Sequence, residues 1–227
     1  MTKLQAVLFD HDGTLVDSEG IHHGLWRRML PSYGVDLQES EYKAYFVGVP
    51  TVQSAVGLVQ RHGLTIAAHD LALQKETLTL AYLRERAFPL MHGATEAVEA
   101  CRALGLRLGV VTGAGPDGIA ATLRDYRWAD KFETVVTAAD VKHSKPAPDV
   151  YQLALSRLGL QAHEAVAIED TSTGVRAARS AGLTCLAIPQ AHSAQQDFSA
   201  ASAVFSSLND AMQWIRVRSQ DSLVYHP

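Results

Sequence analysis

Short apolar segments alternate with stretches of helical periodicity along most of this chain, and this alternation restricts the folds it can adopt. The first segment, residues 4–9, stops abruptly at Asp10, as a buried strand running into a turn would. Further strands are predicted at residues 106–112, 134–137, 165–168 and 184–188, with a weaker pattern at 203–205. Strands that alternate with helices form a parallel sheet covered by helices on both faces. We therefore predict an α/β fold with a Rossmann-like parallel sheet core, whose ligand site lies at the carboxyl ends of the strands.

A long interruption of this alternation lies between residues 18 and 88. No convincing strand pattern occurs there, whereas apolar residues recur at the spacing of amphipathic helices. We therefore predict a core domain made of residues 1–17 and 89–227, with residues 18–88 inserted as a helical domain. The connecting segments are expected at residues 14–18 and 88–93.

Composition and charge narrow the classes of protein to which the chain can belong. Its 227 residues are 47% hydrophobic and 19% charged, which is ordinary for a globular protein. The net charge of −4 and the sparse basic clusters argue against nucleic acid as a partner. No apolar run approaches the roughly 18 residues of a membrane span, and the first run is too short for a signal peptide. We expect a soluble cytoplasmic monomer without a membrane partner.

Two further features concern the cysteines and the end of the chain. Cys101 and Cys185 lie in apolar segments far apart in the sequence, and we interpret both as buried free thiols. Residues 217–227 show no clear periodicity, and we expect a loosely held end there.

The turn after the first predicted strand contains two carboxylates, Asp10 and Asp12, in the sequence DHDG. Side chains two residues apart point to the same side of an extended chain, so both would face one ligand. Carboxylates at this spacing repel each other and require a cation or a shared proton. A nucleophile paired with a general acid/base is the chemical interpretation, as in phosphoryl transfer through an aspartyl phosphate. An acidic turn closed by Gly13 is the alternative that this motif alone leaves open.

Three further polar motifs follow later predicted strands. Thr112 and Gly113 can hold a phosphate with side-chain and backbone donors, or cap a helix. Lys145, placed between a strand and a helix, can bind phosphate and neutralise a carboxylate, although a lone lysine is usually a solvated surface residue. Glu169 and Asp170 can bind Mg²⁺ through hard oxygen ligands, or cap the following helix.

The order of these four motifs resembles that of the haloacid dehalogenase superfamily. The stretches FDHDGTLVDSEGIHHGLW, SKPAPDVY and IEDTSTGVRAARSAG are similar to those of the subgroup that includes β-phosphoglucomutase and many sugar-phosphate phosphatases. The resemblance covers roughly residues 3 to 215. It implies that the helical insertion is the mobile cap domain of that subgroup.

The resemblance also implies the catalytic roles. Asp10 would be the nucleophile and a Mg²⁺ ligand, and Asp12 would be the general acid/base, with its backbone carbonyl as another metal ligand. Members that cleave carbon–halogen or phosphonate bonds do not keep an aspartate at this second position. Asp12 therefore fits an enzyme that protonates the alkoxide leaving group of a phosphate ester.

The same resemblance implies that the remaining motifs bind the phosphate group and the metal ion. Thr112, Gly113 and Lys145 would hold the transferring phosphate. Asp170, helped by Glu169, would bind the Mg²⁺ cofactor directly or through water. Charge neutralisation and positioning are also what a phosphoryl transition state requires on physical grounds.

Three positions depart from the common pattern or bear on the substrate. His11 replaces a residue that is often apolar, and we interpret it as a packing or local hydrogen-bonding residue that points away from Asp10. His22 matches a histidine that contacts the acid/base or the substrate in mutase-like members, although a surface helix position is equally consistent with the pattern. Thr51 stands where the mutase carries an arginine for a second phosphate, and threonine cannot make that charged contact.

These observations lead to a ranked set of functions. The first is a phosphatase acting on a small phosphorylated metabolite, such as a sugar phosphate. The second is a hexose-phosphate mutase like β-phosphoglucomutase, in which Lys75, Arg84 or Arg86 would have to replace the missing arginine. The third is a non-catalytic binding protein on the same fold, which would have no chemical need for all four of the intact residues Asp10, Asp12, Lys145 and Asp170.

Overall fold

A six-stranded sheet lies at the centre of the computed structural model, which describes residues 3–220. The strands are β1 (Ala6–Phe9), β2 (Arg107–Val111), β3 (Thr134–Val136), β4 (Ala165–Glu169), β5 (Thr184–Ala187) and β6 (Ala203–Val204). Their order across the sheet is β3-β2-β1-β4-β5-β6, and every neighbouring pair is parallel. The predicted α/β fold is confirmed, and each strand lies within its predicted range or extends it by one residue.

Nine helices follow β1 within residues 3–220, and the first five of them come before β2. They are α1 (Glu19–Met29), α2 (Glu39–Tyr45), α3 (Thr51–His62), α4 (Ala68–Glu85), α5 (Ala94–Ala103), α6 (Pro116–Asp125), α7 (Asp149–Leu158), α8 (Ser172–Ser180) and α9 (Leu208–Gln220). Short 3-10 turns occur at Leu30–Tyr33, Ala138–Asp140 and Ala162–Glu164.

Helices cover both faces of the sheet because alternate residues of each strand point to opposite sides. On β1, Val7 and Phe9 join a hydrophobic cluster with apolar residues of α5, α6 and α9. Ala6 and Leu8 join a second cluster with apolar residues of α7 and α8. Strands buried on both faces read as continuous apolar runs, which explains why the sequence revealed them.

The four helices α1–α4 pack around a third hydrophobic cluster of their own. Trp26, Leu37, Leu58 and Leu71 are at most 2% exposed and lie in this cluster. The predicted absence of strands between residues 18 and 88, all of which are described, is confirmed. These helices therefore form a compact unit beside the carboxyl edge of the sheet.

The expectation for the end of the chain was partly wrong. Helix α9 continues through Gln220, and its buried residues, such as Ile215, pack in the cluster shared with α5. Residues 221–227, the rest of the expected loose end, lie outside the described residues. Cys101 and Cys185 are buried free thiols, as predicted. Within residues 3–220, no helix is both long and apolar enough to cross a membrane.

Candidate active site

The carboxyl ends of three adjacent strands carry most of the predicted site residues. The register pairs Phe9 of β1 with Val110 of β2 and Ile168 of β4. Asp10 therefore leaves β1 at the same edge where Glu169 ends β4. Both carboxylates are buried, with Asp10 6% exposed and Glu169 1% exposed.

Lys145 lies between these two carboxylates. Its Nζ is 2.5 Å from Oδ1 of Asp10 and 2.6 Å from Oε1 of Glu169, and it also donates to the carbonyl oxygen of Val111 at 2.9 Å. Burial alone would lower the pKa of Lys145, but the two carboxylates outweigh it and hold that pKa above its ordinary value. Lys145 is therefore a cation at the sheet edge, not a solvated surface lysine.

Asp10, Glu169 and Asp170 form a buried acidic group whose ligand atoms lie within 4.8 Å of one another. Burial raises the pKa of Asp10 well above its ordinary value, and although Lys145 opposes this rise, Glu169 and Asp170 add to it. The Lys145 ammonium group contacts two of the three carboxylates, so the repulsion among the three is only partly offset.

Two oxygens of this acidic group are buried without a hydrogen-bond partner among the described residues. They are Oε2 of Glu169 and Oδ1 of Asp170. An unpartnered buried carboxylate oxygen is costly, and a divalent cation relieves both that cost and the repulsion within the group. The donor set is all oxygen, which fits Mg²⁺. The group can therefore hold a metal ion.

Gly13 allows this close approach. Its φ of 84° is in the left-handed region, and a Cβ atom there would lie 2.1 Å from Oδ2 of Asp170. Any side chain at position 13 would therefore collide with the carboxylate. The glycine of the DHDG turn is a requirement of the site as well as of the turn.

Asp12 lies apart from the acidic group. Its Oδ2 is 3.2 Å from Nδ1 of His11, and its side chain is 32% exposed. Burial would raise the pKa of Asp12, but His11, a hydrogen bond from Ser18 and the nearby His22 together hold it well below its ordinary value. His11 is buried, and its contact with the neighbouring Asp12 confirms the predicted local hydrogen bonding. Its Nε2 also lies 3.0 Å from Oγ1 of Thr122.

The predicted phosphate-binding residues Thr112 and Gly113 lie next to the third, Lys145, which contacts the acidic group. The hydroxyl oxygen of Thr112 accepts from the backbone amide of Ala114 at 3.0 Å. A Cβ atom on Gly113 would lie 3.5 Å from Oγ of Ser144 and 3.7 Å from Cδ of Lys145. Ser144 Oγ is buried, with no hydrogen-bond partner in residues 3–220, and is a donor that the sequence interpretation overlooked.

A cavity of about 820 Å³ opens between the sheet edge and helices α1, α3 and α4. Its sheet side contains the residues described above, with Asp10, Asp12, Thr112, Gly113 and Lys145 in its wall. Asp170 also contributes to this wall. The predicted core motifs are therefore brought together around one space that can admit a small molecule.

The helical side of the cavity contains both predicted cap residues. His22 projects from α1, and Thr51 is the first residue of α3. Nδ1 of His22 accepts a hydrogen bond from Nζ of Lys75 at 2.7 Å. Burial, with the charge of Lys75, lowers the pKa of His22 to about 4, so that the ring is neutral.

Lys75 on α4 brings a cation into the cavity. It is 1% exposed, and its Nζ lies 5.7 Å from the ring centroid of Trp26. Burial lowers the pKa of Lys75 to about 8. The other two cations considered from the sequence, Arg84 and Arg86, are exposed and do not belong to the described cavity wall.

Two residues of the cavity wall carried no signal in the sequence. His192 and Gln196 lie in the loop after β5, which has neither a strand nor a helix pattern. His192 Nε2 is 3.0 Å from Oδ2 of Asp170. Because only the fold brings this loop to the end of β4, the local sequence pattern could not have shown that His192 and Gln196 belong to the cavity.

Comparison with known proteins agrees with the fold. The family of haloacid dehalogenase-like hydrolases matches residues 7–188. Fructose-1-phosphate phosphatase YqaB from Escherichia coli is 32% identical over 184 residues, which cover 78% of this chain and 92% of that protein. Validoxylamine A 7'-phosphate phosphatase from Streptomyces hygroscopicus is 30% identical over 193 residues, which cover 84% of this chain and 88% of that protein.

Solved structures share the architecture. A crystal structure of a CbbY variant from Rhodobacter sphaeroides in complex with xylulose-(1,5)bisphosphate matches with a TM-score of 0.75 and 27% sequence identity. The match covers 90% of this chain and 95% of that chain.

Proposed function

This chain belongs to the haloacid dehalogenase-like hydrolase family, and from that membership we propose that it is a Mg²⁺-dependent phosphatase of a small sugar phosphate. The observation that carries the proposal is the buried array at the sheet edge. Lys145 Nζ lies 2.5 Å from Oδ1 of Asp10, beside an acidic group with unpartnered oxygens, and the array faces a cavity of about 820 Å³. Phosphoryl transfer needs an anionic nucleophile surrounded by positive charge, which this array can supply.

In the first half of the proposed reaction, the Asp10 carboxylate attacks the phosphorus atom of the substrate. The new bond joins an oxygen of Asp10 to phosphorus, and the bond from phosphorus to the sugar oxygen breaks. Asp12 is ionised in the free site and must be protonated once the anionic phosphate group binds nearby, because a neighbouring negative charge raises the pKa of a carboxyl group. It then donates that proton to the departing alkoxide, so that the sugar leaves as an alcohol. Lys145 Nζ, already beside Asp10, stabilises the negative charge that spreads over the phosphoryl oxygens.

In the second half, a water molecule attacks the phosphorus atom of the aspartyl phosphate. Asp12, now a carboxylate, accepts the proton of that water. The bond between Asp10 and phosphorus breaks, which releases inorganic phosphate and restores the Asp10 carboxylate. Thr112 and Ser144, which line the same cavity as Asp10, would hold the phosphoryl oxygens in both halves.

Asp10, Asp170 and the backbone carbonyl of Asp12 are the proposed ligands of Mg²⁺, with Glu169 supporting Asp170. When bound, Mg²⁺ would neutralise phosphate charge and orient the phosphoryl group for in-line attack.

The proposed substrate class rests on the cavity and on the relatives. Two relatives that are at least 30% identical are named as phosphatases of phosphorylated small molecules, one of them a sugar phosphate. The helical wall of the cavity presents polar side chains such as Thr51, Thr79 and Glu76, which can bind hydroxyl groups. A phosphorylated sugar offers several such hydroxyl groups in addition to its phosphate.

A hexose-phosphate mutase is the second candidate, and the position of Lys75 favours it. A mutase must bind a second, distal phosphate, and Lys75 is a cation in the helical wall of the cavity. However, its Nζ already donates to His22 at 2.7 Å, and the loop from Gly48 to Gln53 carries no charge. One engaged ammonium is a weaker clamp than a bidentate guanidinium, so the phosphatase is the preferred proposal.

The proposed function is tested by a panel of phosphorylated sugars and related metabolites, assayed for phosphate release with Mg²⁺ and with EDTA. The same preparation is assayed for hexose-phosphate interconversion primed with a sugar bisphosphate. We expect Mg²⁺-dependent phosphate release from at least one sugar phosphate, at a rate far above any interconversion. Dominant interconversion would select the mutase, and full activity in EDTA would reject the metal site.

A further inference from the structure

Hydrogen bonds fasten the loop that follows β5 to the end of β4 and to the start of α8. Nε2 of His192 lies 3.0 Å from Oδ2 of Asp170, and Oγ of Ser193 donates to the carbonyl oxygen of Asp170 at 2.6 Å. The backbone amide of Ser172 donates to Oε1 of Gln196 at 2.8 Å. The loop therefore holds both the backbone and the side chain of Asp170.

The two oxygens of Asp170 have different surroundings. Oδ2 faces His192, and the backbone of Gly13 closely approaches the same oxygen. Oδ1 is buried, and within residues 3–220 it has no hydrogen-bond partner. Asp170 is 1% exposed, so water cannot readily replace the contacts of Oδ2 with His192 and Gly13. Hence one oxygen is held and the other is left for a ligand.

The ring of His192 is itself well fixed. Its side chain is 16% exposed, and the next residue, Ser193, is fully buried with its hydroxyl engaged by the backbone of Asp170. Because a carboxylate only accepts hydrogen bonds, Nε2 of His192 carries the proton and donates it to Oδ2. The loop thus presents an N–H group to Asp170 at a defined position.

We propose that His192 is a positioning residue for the metal site, which fixes the Asp170 carboxylate so that Oδ1 is presented to the divalent cation. The inference rests on the Mg²⁺ site of the proposed function. A carboxylate held by an outer hydrogen bond does not have to reorient when it binds metal, and loss of such outer partners typically weakens binding by about 10- to 100-fold. His192 acts through Asp170 and does not itself belong to the described group of ligand atoms within 4.8 Å.

The experiment measures Mg²⁺ binding directly by isothermal titration calorimetry, at one fixed, mildly alkaline pH for all variants. The wild type is compared with His192→Leu, which removes the donor, and with His192→Gln, whose side-chain amide can donate from a similar position. His163→Leu is the matched control, because His163 is exposed near the amino end of β4, far from the acidic group. Thermal unfolding in EDTA checks that every variant is folded.

We expect His192→Leu to raise the dissociation constant for Mg²⁺ by about 10-fold or more. Binding by His192→Gln and His163→Leu should stay close to that of the wild type. The inference is overturned if His192→Leu binds Mg²⁺ as the wild type does, or if His192→Gln is as weak as His192→Leu. If His192→Leu unfolds, His192→Ala takes its place as the variant without a donor. It should then bind Mg²⁺ more weakly than His192→Gln, and equal binding by the two would overturn the inference. A wild type that binds no Mg²⁺ would reject the proposed function as well as this inference.

Discussion

At the scale of single residues, Lys145 determines whether the site can exist without a metal. Its side chain is 8% exposed and contacts two of the three buried carboxylates. Removal of one partner from a buried ion pair leaves an uncompensated charge, which is more costly than an absent pair. Lys145 therefore has a structural role in addition to its proposed contact with phosphate.

Lys145→Ala should lower the free energy of unfolding in EDTA by about 3 kcal/mol, because Asp10 and Glu169 lose the ammonium group that contacts both of them. Denaturation by guanidinium chloride measures the change. Lys142→Ala, at an exposed position three residues earlier, is the control and should have little effect. Equal stability of Lys145→Ala and the wild type would show that the pair is not a net stabilising contact.

His22 should make the stability of the protein sensitive to mild acid. Burial and Lys75 lower its pKa from 6.5 to about 4 in the folded state. Between these values the unfolded chain binds more protons than the folded chain, so stability falls as the pH drops through this window. The full shift corresponds to about 3 kcal/mol. His22→Gln should remove this acid-dependent part, as seen in denaturation curves at neutral and acidic pH. An identical pH dependence in both proteins would contradict the assigned shift.

At the scale of secondary structure elements, α4 carries a buried lysine where an apolar residue would be more stable. The folded-state pKa of Lys75 is about 8, against 10.5 for an unperturbed lysine. Since the unfolded chain binds more protons between these values, the cost to stability is fully present at neutral pH and disappears as the pH rises through this window.

Lys75→Met should therefore stabilise the protein by up to about 3 kcal/mol at neutral pH and lower its activity. Chemical denaturation and phosphate release on the same samples measure both effects. Leu73→Met, at an exposed position of α4, is the control. A destabilised Lys75→Met variant would show that the contact with His22 outweighs the burial of the ammonium group.

The sequence predicted the elements to different degrees for physical reasons. Strands β1, β2 and β4 are buried on both faces, so each appears as an apolar run that ends in a polar turn. Helix α9 was missed although its buried residues Leu208, Ala211, Met212 and Ile215 recur at the spacing of an amphipathic helix. His192 was missed because its role depends on a contact with Asp170, 22 positions away, which no local pattern encodes.

At the scale of the whole molecule, the two connections between the sheet and the helical unit pair with each other. The backbone amide of Asp17 donates to the carbonyl of Pro89 at 2.8 Å, and that of Met91 donates to the carbonyl of Leu15 at 2.9 Å. Val16 and Leu90 form an isolated antiparallel bridge between them. This short ladder is the proposed hinge, and residues 18–88 are the proposed cap.

The cap should close on the core when a phosphate analogue binds, because a phosphoryl transfer site must exclude water yet admit substrate. We expect residues 18–88 to rotate as one unit about the paired connections. Small-angle scattering with Mg²⁺, with and without vanadate, measures the change as a smaller radius of gyration on binding. Identical scattering curves despite demonstrated vanadate binding would contradict a moving cap.

The measurement that most directly tests the proposed chemistry is the turnover of Asp10→Asn with a sugar phosphate that the wild type hydrolyses. Asparagine keeps the size of the side chain but cannot form the acyl phosphate, so phosphate release should fall by roughly 1,000-fold or more. Asp36→Asn, at an exposed position among the helices, should retain wild-type turnover. Calorimetry with the same sugar phosphate should show that Asp10→Asn still binds it. Near-normal phosphate release by Asp10→Asn would contradict the aspartyl-phosphate mechanism.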